Sequence, residues 1–281
     1  MKKNSTFQKI CAAPHIAWAV MFIVAPMLFV LYFAFTDAEG HFTLSNITAL
    51  SQYGNVFVLS IAFSLIATVV CLIIGYPLAY FMSRQSPRAQ KILMVLVMLP
   101  MWCNLLIRTY ALMALLDNGG LLNALLESLG LGKVSIVGTN FGVILGMVYD
   151  FLPYMVLPIF TAMTKLDKRY IEAAHDLGCN SFKTMTRVIM PLTASGVISG
   201  ITMVFVPSIS TFYISQKLGA GKIDLVGDTI ERLFQNVSTY NVGASMSLVM
   251  MVLILISLWI MNRYSEDDAD EKNAKRGGLF K

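Results

Sequence analysis

AMTKLDKRYIEAAHDLGCNSFKTMTRVIMP, residues 162–191, is the one long polar and basic interruption between spans in a chain that otherwise reads as lipid-soluble. From Lys168 to Leu177 the residues Glu172, Ala173, Ala174 and Asp176 favour a helix, with Ile171, Ala174 and Leu177 on a shared apolar face. Gly178 permits a turn. A second helical stretch, Ser181 to Ile189, carries Phe182, Met185, Val188 and Ile189 at spacings of three and four, and Pro191 opens the next span. Two short helices hinged at a glycine predict a compact knob projecting from a membrane.

Composition outside this stretch fixes the class. With 57% apolar and 13% charged residues, the chain suits a bilayer rather than a soluble surface. Candidate spans at roughly 16–35, 57–82, 92–114, 140–162, 192–214 and 243–261 are each near the length needed to cross the hydrocarbon core, so an all-α polytopic membrane protein with six transmembrane helices is expected. A soluble six-helix bundle would need polar helix faces, which IAWAVMFIVAPMLFVLYFAF at 16–35 does not offer. The organisation read from this is an N-terminal segment 1–15, a six-span domain 16–261 containing the loop 163–191, and a tail 262–281.

Charge sets the orientation. Segments 1–15, 83–91, 163–191 and 262–281 hold 3, 3, 5 and 5 Lys or Arg residues, whereas 36–56, 115–139 and 215–242 hold 0, 1 and 3. Positive residues concentrate on the cytoplasmic side, so both termini are expected inside. The formal charge of +5 is therefore topology rather than a footprint for nucleic acid. No convincing small-residue cleavage site follows the first span, which reads as a retained anchor.

Cys11, Cys71, Cys103 and Cys179 fall at a cytoplasmic end, inside spans or in the loop, and no disulfide framework is expected. Asn46-Ile47-Thr48 matches a glycosylation sequon, which reads as a chance tripeptide. LGAGK at 218–222 is too compressed to cradle phosphate, and the sequence has no G-x-x-x-x-G-K-[ST] loop. No catalytic, cofactor-binding or metal-ligating set is expected in this chain, and it is not read as an enzyme.

At the loop, Glu172-Ala173-Ala174, Gly178, Ile189 and Pro191 resemble the EAA motif of the inner-membrane permease subunits of binding-protein-dependent ABC importers. More narrowly, LPMWCNLLIRTYALMALL from Leu99, VYDFLPYMVLPIFTAMTKLD from Val148, EAAHDLG from Glu172 and FVPSISTFYISQKLGAG from Phe205 are similar to spermidine/putrescine permeases of the PotB type, over nearly the whole chain. That resemblance implies a type I importer permease core in the bacterial cytoplasmic (inner or plasma) membrane and a polyamine as cargo. It also implies a second homologous permease subunit, two ATPase subunits carrying ATP and magnesium, and an extracytoplasmic polyamine-binding protein. In this reading the EAA loop couples the spans to an ATPase, with Glu172 either pairing with a basic group there or capping helical amides locally. Permeases for sulfate, ferric ion, phosphonate or thiamine share the loop. An ion-coupled secondary transporter, a channel and a membrane scaffold are the readings outside the family.

Polar residues within spans bear on cargo. A lipid-facing carboxylate at Asp150 would cost about 2.5–3.5 kcal/mol, so this residue should face protein or a water-filled pathway. Two readings stand: a carboxylate along a cation pathway, with Trp102, Tyr149, Tyr154 and Tyr213 as aromatic faces, or a structural ion pair with Arg108 of the antiparallel neighbouring span. Pro100, Pro153, Pro158 and Pro207 predict kinks or breaks. Ser208, Ser210 and Thr211 are placed to satisfy freed carbonyls or line a pore, and Ser195, Gly196, Ser199 and Gly200 to allow close helix contact. Leu121–Leu129 and Leu225–Val237 read as helices at the membrane surface, either closing the pore mouth and supporting a binding-protein contact or simply interfacial. The tail from Ser265, acidic and then basic, reads as flexible.

Overall fold

A computed structural model describes the backbone of residues 6–37 and 39–277, and the side chains of residues 13–37, 39–261 and 263. Among them the protein is helical throughout. Five runs are long and apolar enough to cross a membrane: Ala13–Ala34, Ser45–Ser83, Leu105–Ser128, Asn140–Thr164 and Val237–Met261. A sixth is the bent pair Ser181–Leu192 and Ala194–Ile209, whose halves meet at 70°. Helices are named in chain order: α1, residues 6–34, with one π-helical turn at Val20–Val24; α2, Gly54–Ser83; α3, Pro87–Trp102; α4, Leu105–Leu116; α5, Leu121–Ser128; α6, Asn140–Thr164. They continue with α7, Arg169–Asp176; α8, Ser181–Leu192; α9, Ala194–Ile209; α10, Tyr213–Leu218; α11, Val226–Phe234; and α12, Tyr240–Gly277.

Two compact units emerge, Met1–Asn55 with Thr229–Leu253, and Val56–Asp228 with Ile254–Lys281. In the first, the last carbonyls of α1 have no helical partner and are met by side chains. The Asn46 and Asn241 amides donate to Thr36 O at 2.8 and 2.7 Å, and the Ser245 hydroxyl donates to Ala34 O at 2.9 Å. Asn46 is thus a buried structural residue, in keeping with the chance reading of its sequon.

The second unit is organised around α6. Buried residues fill 61% of its apolar window, against 33% for the next most buried span. Thr139 caps its start, accepting from Gly142 N at 3.1 Å. Pro153 and Pro158 lie inside this single continuous helix, and Pro207 lies inside α9, so three of the four expected kinks or breaks are not breaks. Ser208 and Ser210 hydroxyls bond back to the carbonyls of Phe205 (2.8 Å) and Pro207 (3.2 Å) near the proline. Packing of α9 on α6 is close because glycine allows it: a β-carbon at Gly196 would sit 2.5 Å from that of Ala162 and 2.9 Å from Pro158 O, and one at Gly200 would sit 2.8 Å from Met155 Sδ. Ser195 and Ser199, on the neighbouring face, are exposed.

The predicted span 92–114 is cut in two. Pro100 weakens the end of α3, Cys103 turns out of the helix, and Asn104 caps α4 by accepting from Leu106 N at 2.8 Å. The predicted span 192–214 likewise ends at Ile209, and its outer end forms the separate helix α10.

The two outer segments are helical, as expected, but each is tied into the protein. Asn123 of α5 is buried, donating to Asp117 O and Val134 O, both at 3.0 Å, and accepting from Val134 N at 2.8 Å. At the start of α11, Val226 and Asp228 are buried, and Val226 N donates to Ser60 Oγ at 2.8 Å. At the other end of the chain α12 runs on to Gly277, so the backbone expected to be a flexible tail is helical, as its Glu, Lys and Ala content permits. The side chains of that run from Tyr264 onward, and of Cys11, lie outside the described residues. Cys71, Cys103 and Cys179 are free thiols.

Candidate functional site

Two places carry the candidate residues: the knob between α6 and α9, and a polar cluster where α4 crosses α6. The knob follows from its local sequence. Arg169–Asp176 forms α7, following Lys168 at its N-cap, with Glu172 in the first turn, where a carboxylate complements the positive end of the helix dipole. The helix stops at a Schellman motif: Gly178 N donates to His175 O at 2.9 Å, Cys179 N donates to Ala174 O at 3.0 Å, and Gly178 holds φ at +77°. Asn180 then caps α8, accepting from Lys183 N at 2.8 Å.

Ala174 and Ile189 are buried and seat the knob on the ends of the spans, beside a cleft of about 110 Å³ lined by Tyr80, Arg84, Gln90, Met163 and Lys168. Glu172, Ala173, Gly178 and Pro191 are exposed. Leu177 and Phe182, expected on the packed faces, are 85% and 73% exposed, so each short helix offers an apolar residue outward. Among the described residues the Glu172 carboxylate has no hydrogen bond or ion pair, so the local capping use foreseen for it is not made.

In the polar cluster Arg108 Nε lies 2.5 Å from Asp150 Oδ1, with both side chains buried. Thr109 Oγ1 is 3.3 Å from Asp150 Oδ2, and Arg108 Nη1 donates to Pro100 O at 3.1 Å. One guanidinium therefore neutralises the carboxylate on α6 and meets a carbonyl at the C-terminal end of α3, where a cation is favoured. Asp150 has 0% exposure and lies against Arg108, the contact that the ion-pair reading foresaw. Register alone puts Arg108 nearer the outside than Asp150; its long side chain closes that gap.

Of the aromatic candidates, Tyr149 has its ring 5.9 Å from the Arg108 guanidinium carbon. Trp102 stands 72% exposed at the end of α3, and Tyr154 packs into the core beside Phe151. The Tyr213 ring meets Tyr110 edge-on at 5.8 Å, and Lys217 Nζ lies 5.1 and 5.5 Å from the Tyr110 and Tyr213 ring centres. A cation of the chain's own thus already covers the face expected to receive cargo. Thr109, Tyr110 and Lys217 escaped the sequence reading. Their signal was the polar spacing around Arg108, and Lys217 four residues after Tyr213.

The chain matches the model of the binding-protein-dependent transport system inner membrane component family over residues 72–267. It is 38% identical over 270 residues to the spermidine/putrescine transport system permease protein PotB of Haemophilus influenzae, spanning 92% of this chain and 94% of that one. It is 36% identical over 261 residues to the protein of that name in Escherichia coli, spanning 88% and 95%. Among solved structures, a chain of a bacterial alginate ABC transporter in complex with an alginate pentasaccharide-bound periplasmic protein superposes with a TM-score of 0.74 over 92% of this chain and 93% of that one; its 18% identity speaks for the fold alone. The knob between the fourth and fifth spans lies wholly inside the matched region. The chain is a multi-pass protein of the bacterial inner membrane, a non-catalytic permease subunit that belongs to the binding-protein-dependent inner-membrane component family and, within it, to the PotB type.

Proposed function

We propose that this chain forms half of the membrane pathway of an ATP-driven polyamine importer, taking up spermidine or putrescine, and couples that pathway to a separate ATPase through residues 163–191. The observation that carries the coupling is the outward face of the knob, where Glu172, Leu177 and Phe182 are exposed on short helices fixed to two spans. An apolar pair beside a carboxylate fits a cleft with apolar walls and a basic group, which is the contact proposed on the ATPase. Ala173 leaves room for close approach, Gly178 sets the angle between the helices, and Ala174, Ile189 and Pro191 fix the knob to the spans. The cargo assignment is supported by the length over which the chain resembles the curated permeases.

A second permease subunit, two ATPases holding ATP and magnesium, and an extracytoplasmic polyamine-binding protein complete the machine. In the pathway, Trp102 offers an exposed aromatic face with no cation of the chain over it among the described residues, contributing about 0.5–2 kcal/mol to a passing ammonium. The Arg108–Asp150 pair keeps the broken third span in register.

The test is reconstitution of the four-component complex in vesicles with labelled spermidine and putrescine. Uptake should require ATP and the binding protein, and Phe182→Asp should abolish it while the complex still binds the loaded binding protein. Failure of the purified binding protein to recognise any polyamine would remove the cargo assignment, and full coupling in Phe182→Asp would remove the knob from the contact.

A further inference from the structure

The bend between α8 and α9 is held by a short chain of hydrogen bonds reaching another span. Thr193, 0% exposed, is the residue between the two helices that meet at 70°. Its amide donates to Ile189 O at 3.0 Å and to Met190 O at 3.2 Å, while its hydroxyl donates to Ile189 O at 2.8 Å. Tyr76 OH of α2, also buried, lies 3.1 Å from Thr193 Oγ1. A threonine hydroxyl has one proton; either hydroxyl can donate across the Tyr76–Thr193 contact, and the phenol does so whenever the Thr193 proton is on Ile189 O.

Around this chain α2 is already fixed against α6. A β-carbon at Gly75 would lie 3.1 Å from Met155 Cγ, which pins Tyr76 at its level. The groove beside the bend, lined by Leu72, Ile73, Pro77, Met190, Ala194 and Val197, is almost wholly apolar, so water is a poor substitute for either hydroxyl.

We infer that Tyr76 and Thr193 form a latch that makes the bend a rigid crank, so that movement of the coupling knob carries α2 and α9 together. Both are positioning residues. Without the latch the bend flexes and part of the knob's displacement is lost before it reaches α2. The inference rests on the proposed coupling role of the knob, and the test separates the two.

In the reconstituted complex, polyamine uptake and ATP hydrolysis are measured together for Tyr76→Phe, Thr193→Val, the double variant and Thr193→Ser. Tyr76→Phe and Thr193→Val should each lower uptake per ATP by about fivefold, the order expected when one buried hydrogen bond is lost from one of two states, with assembly and maximal hydrolysis kept. The double variant should be no worse than either single one, and Thr193→Ser should couple like the parent. Parent-like uptake per ATP in Tyr76→Phe would overturn the latch, as would uptake and hydrolysis falling in proportion to lost complex. A parent complex in which uptake does not depend on ATP would instead overturn the coupling role itself.

Discussion

At Gly178 the backbone holds φ at +77°, yet a β-carbon there would meet nothing within 4 Å. The demand is conformational rather than steric, so Gly178→Ala should cost about 1–2 kcal/mol of knob geometry and leave the spans intact. Normal amounts of complex with reduced uptake per ATP are expected, read from parallel assays in vesicles; unchanged coupling would show that the angle between α7 and α8 does not matter. Charge dominates at Asp150. Asp150→Asn leaves the buried Arg108 guanidinium without its counterion, and breaking such a pair from one side costs roughly 3–5 kcal/mol, whereas replacing both partners by apolar residues is often close to neutral. Asp150→Asn should therefore lower the midpoint of thermal unfolding in detergent, and Arg108→Leu with Asp150→Leu should recover much of the loss. Recovery of folding without recovery of uptake would give the pair a part in transport beyond stability.

Between helices, the α6–α9 contact depends on the missing side chain at Gly196. Its neighbours at 2.5 and 2.9 Å are a β-carbon and a backbone carbonyl, neither able to swing aside, so Gly196→Leu should force the helices apart and reduce folded protein severely; Ser199→Leu, one turn along on the exposed face, should be tolerated. Yield of monodisperse protein after extraction checks both. Half of this contact was legible in advance: of the two pairs of small residues at a four-residue spacing, Gly196 and Gly200 pack on α6, whereas Ser195 and Ser199 are exposed. The knob was legible too, since Glu172 to Leu177 with a following glycine obeys helix and cap chemistry that needs no tertiary context. Leu177 and Phe182 show where legibility stopped: periodicity marks a face that packs but not the chain it packs on. The break after Pro100 was legible as a kink or break, but its place at Cys103 and Asn104 was not, since hydropathy continues across it and the cap at Asn104 shows only in the structure. Pro153 and Pro158 do not break α6, which runs unbroken from Asn140 to Thr164.

For the whole molecule, the distribution of Lys and Arg predicts that both termini and the knob share one side of the membrane, with sixteen such residues there against four on the other. A single knob per chain then bears on assembly. On the proposed coupling, one exposed pair of short helices offers one docking surface, so each permease chain would engage one ATPase, and a machine with two ATPases would need two permease chains. Along α1 none of the apolar window is buried, and Trp18, Phe22 and Phe29 are more than half exposed, which suits a span bathed in lipid. Native mass measurement of the complex extracted with its lipids should give two six-span subunits and two ATPases, with this chain present once if its partner is a homologue. In a chain whose four native cysteines are replaced by serine, cysteines introduced singly at Ser181 and Ser128 should label from opposite sides in sealed vesicles. Labelling from the same side would overturn the topology, and a single chain that transports with one ATPase would overturn the two-permease assembly.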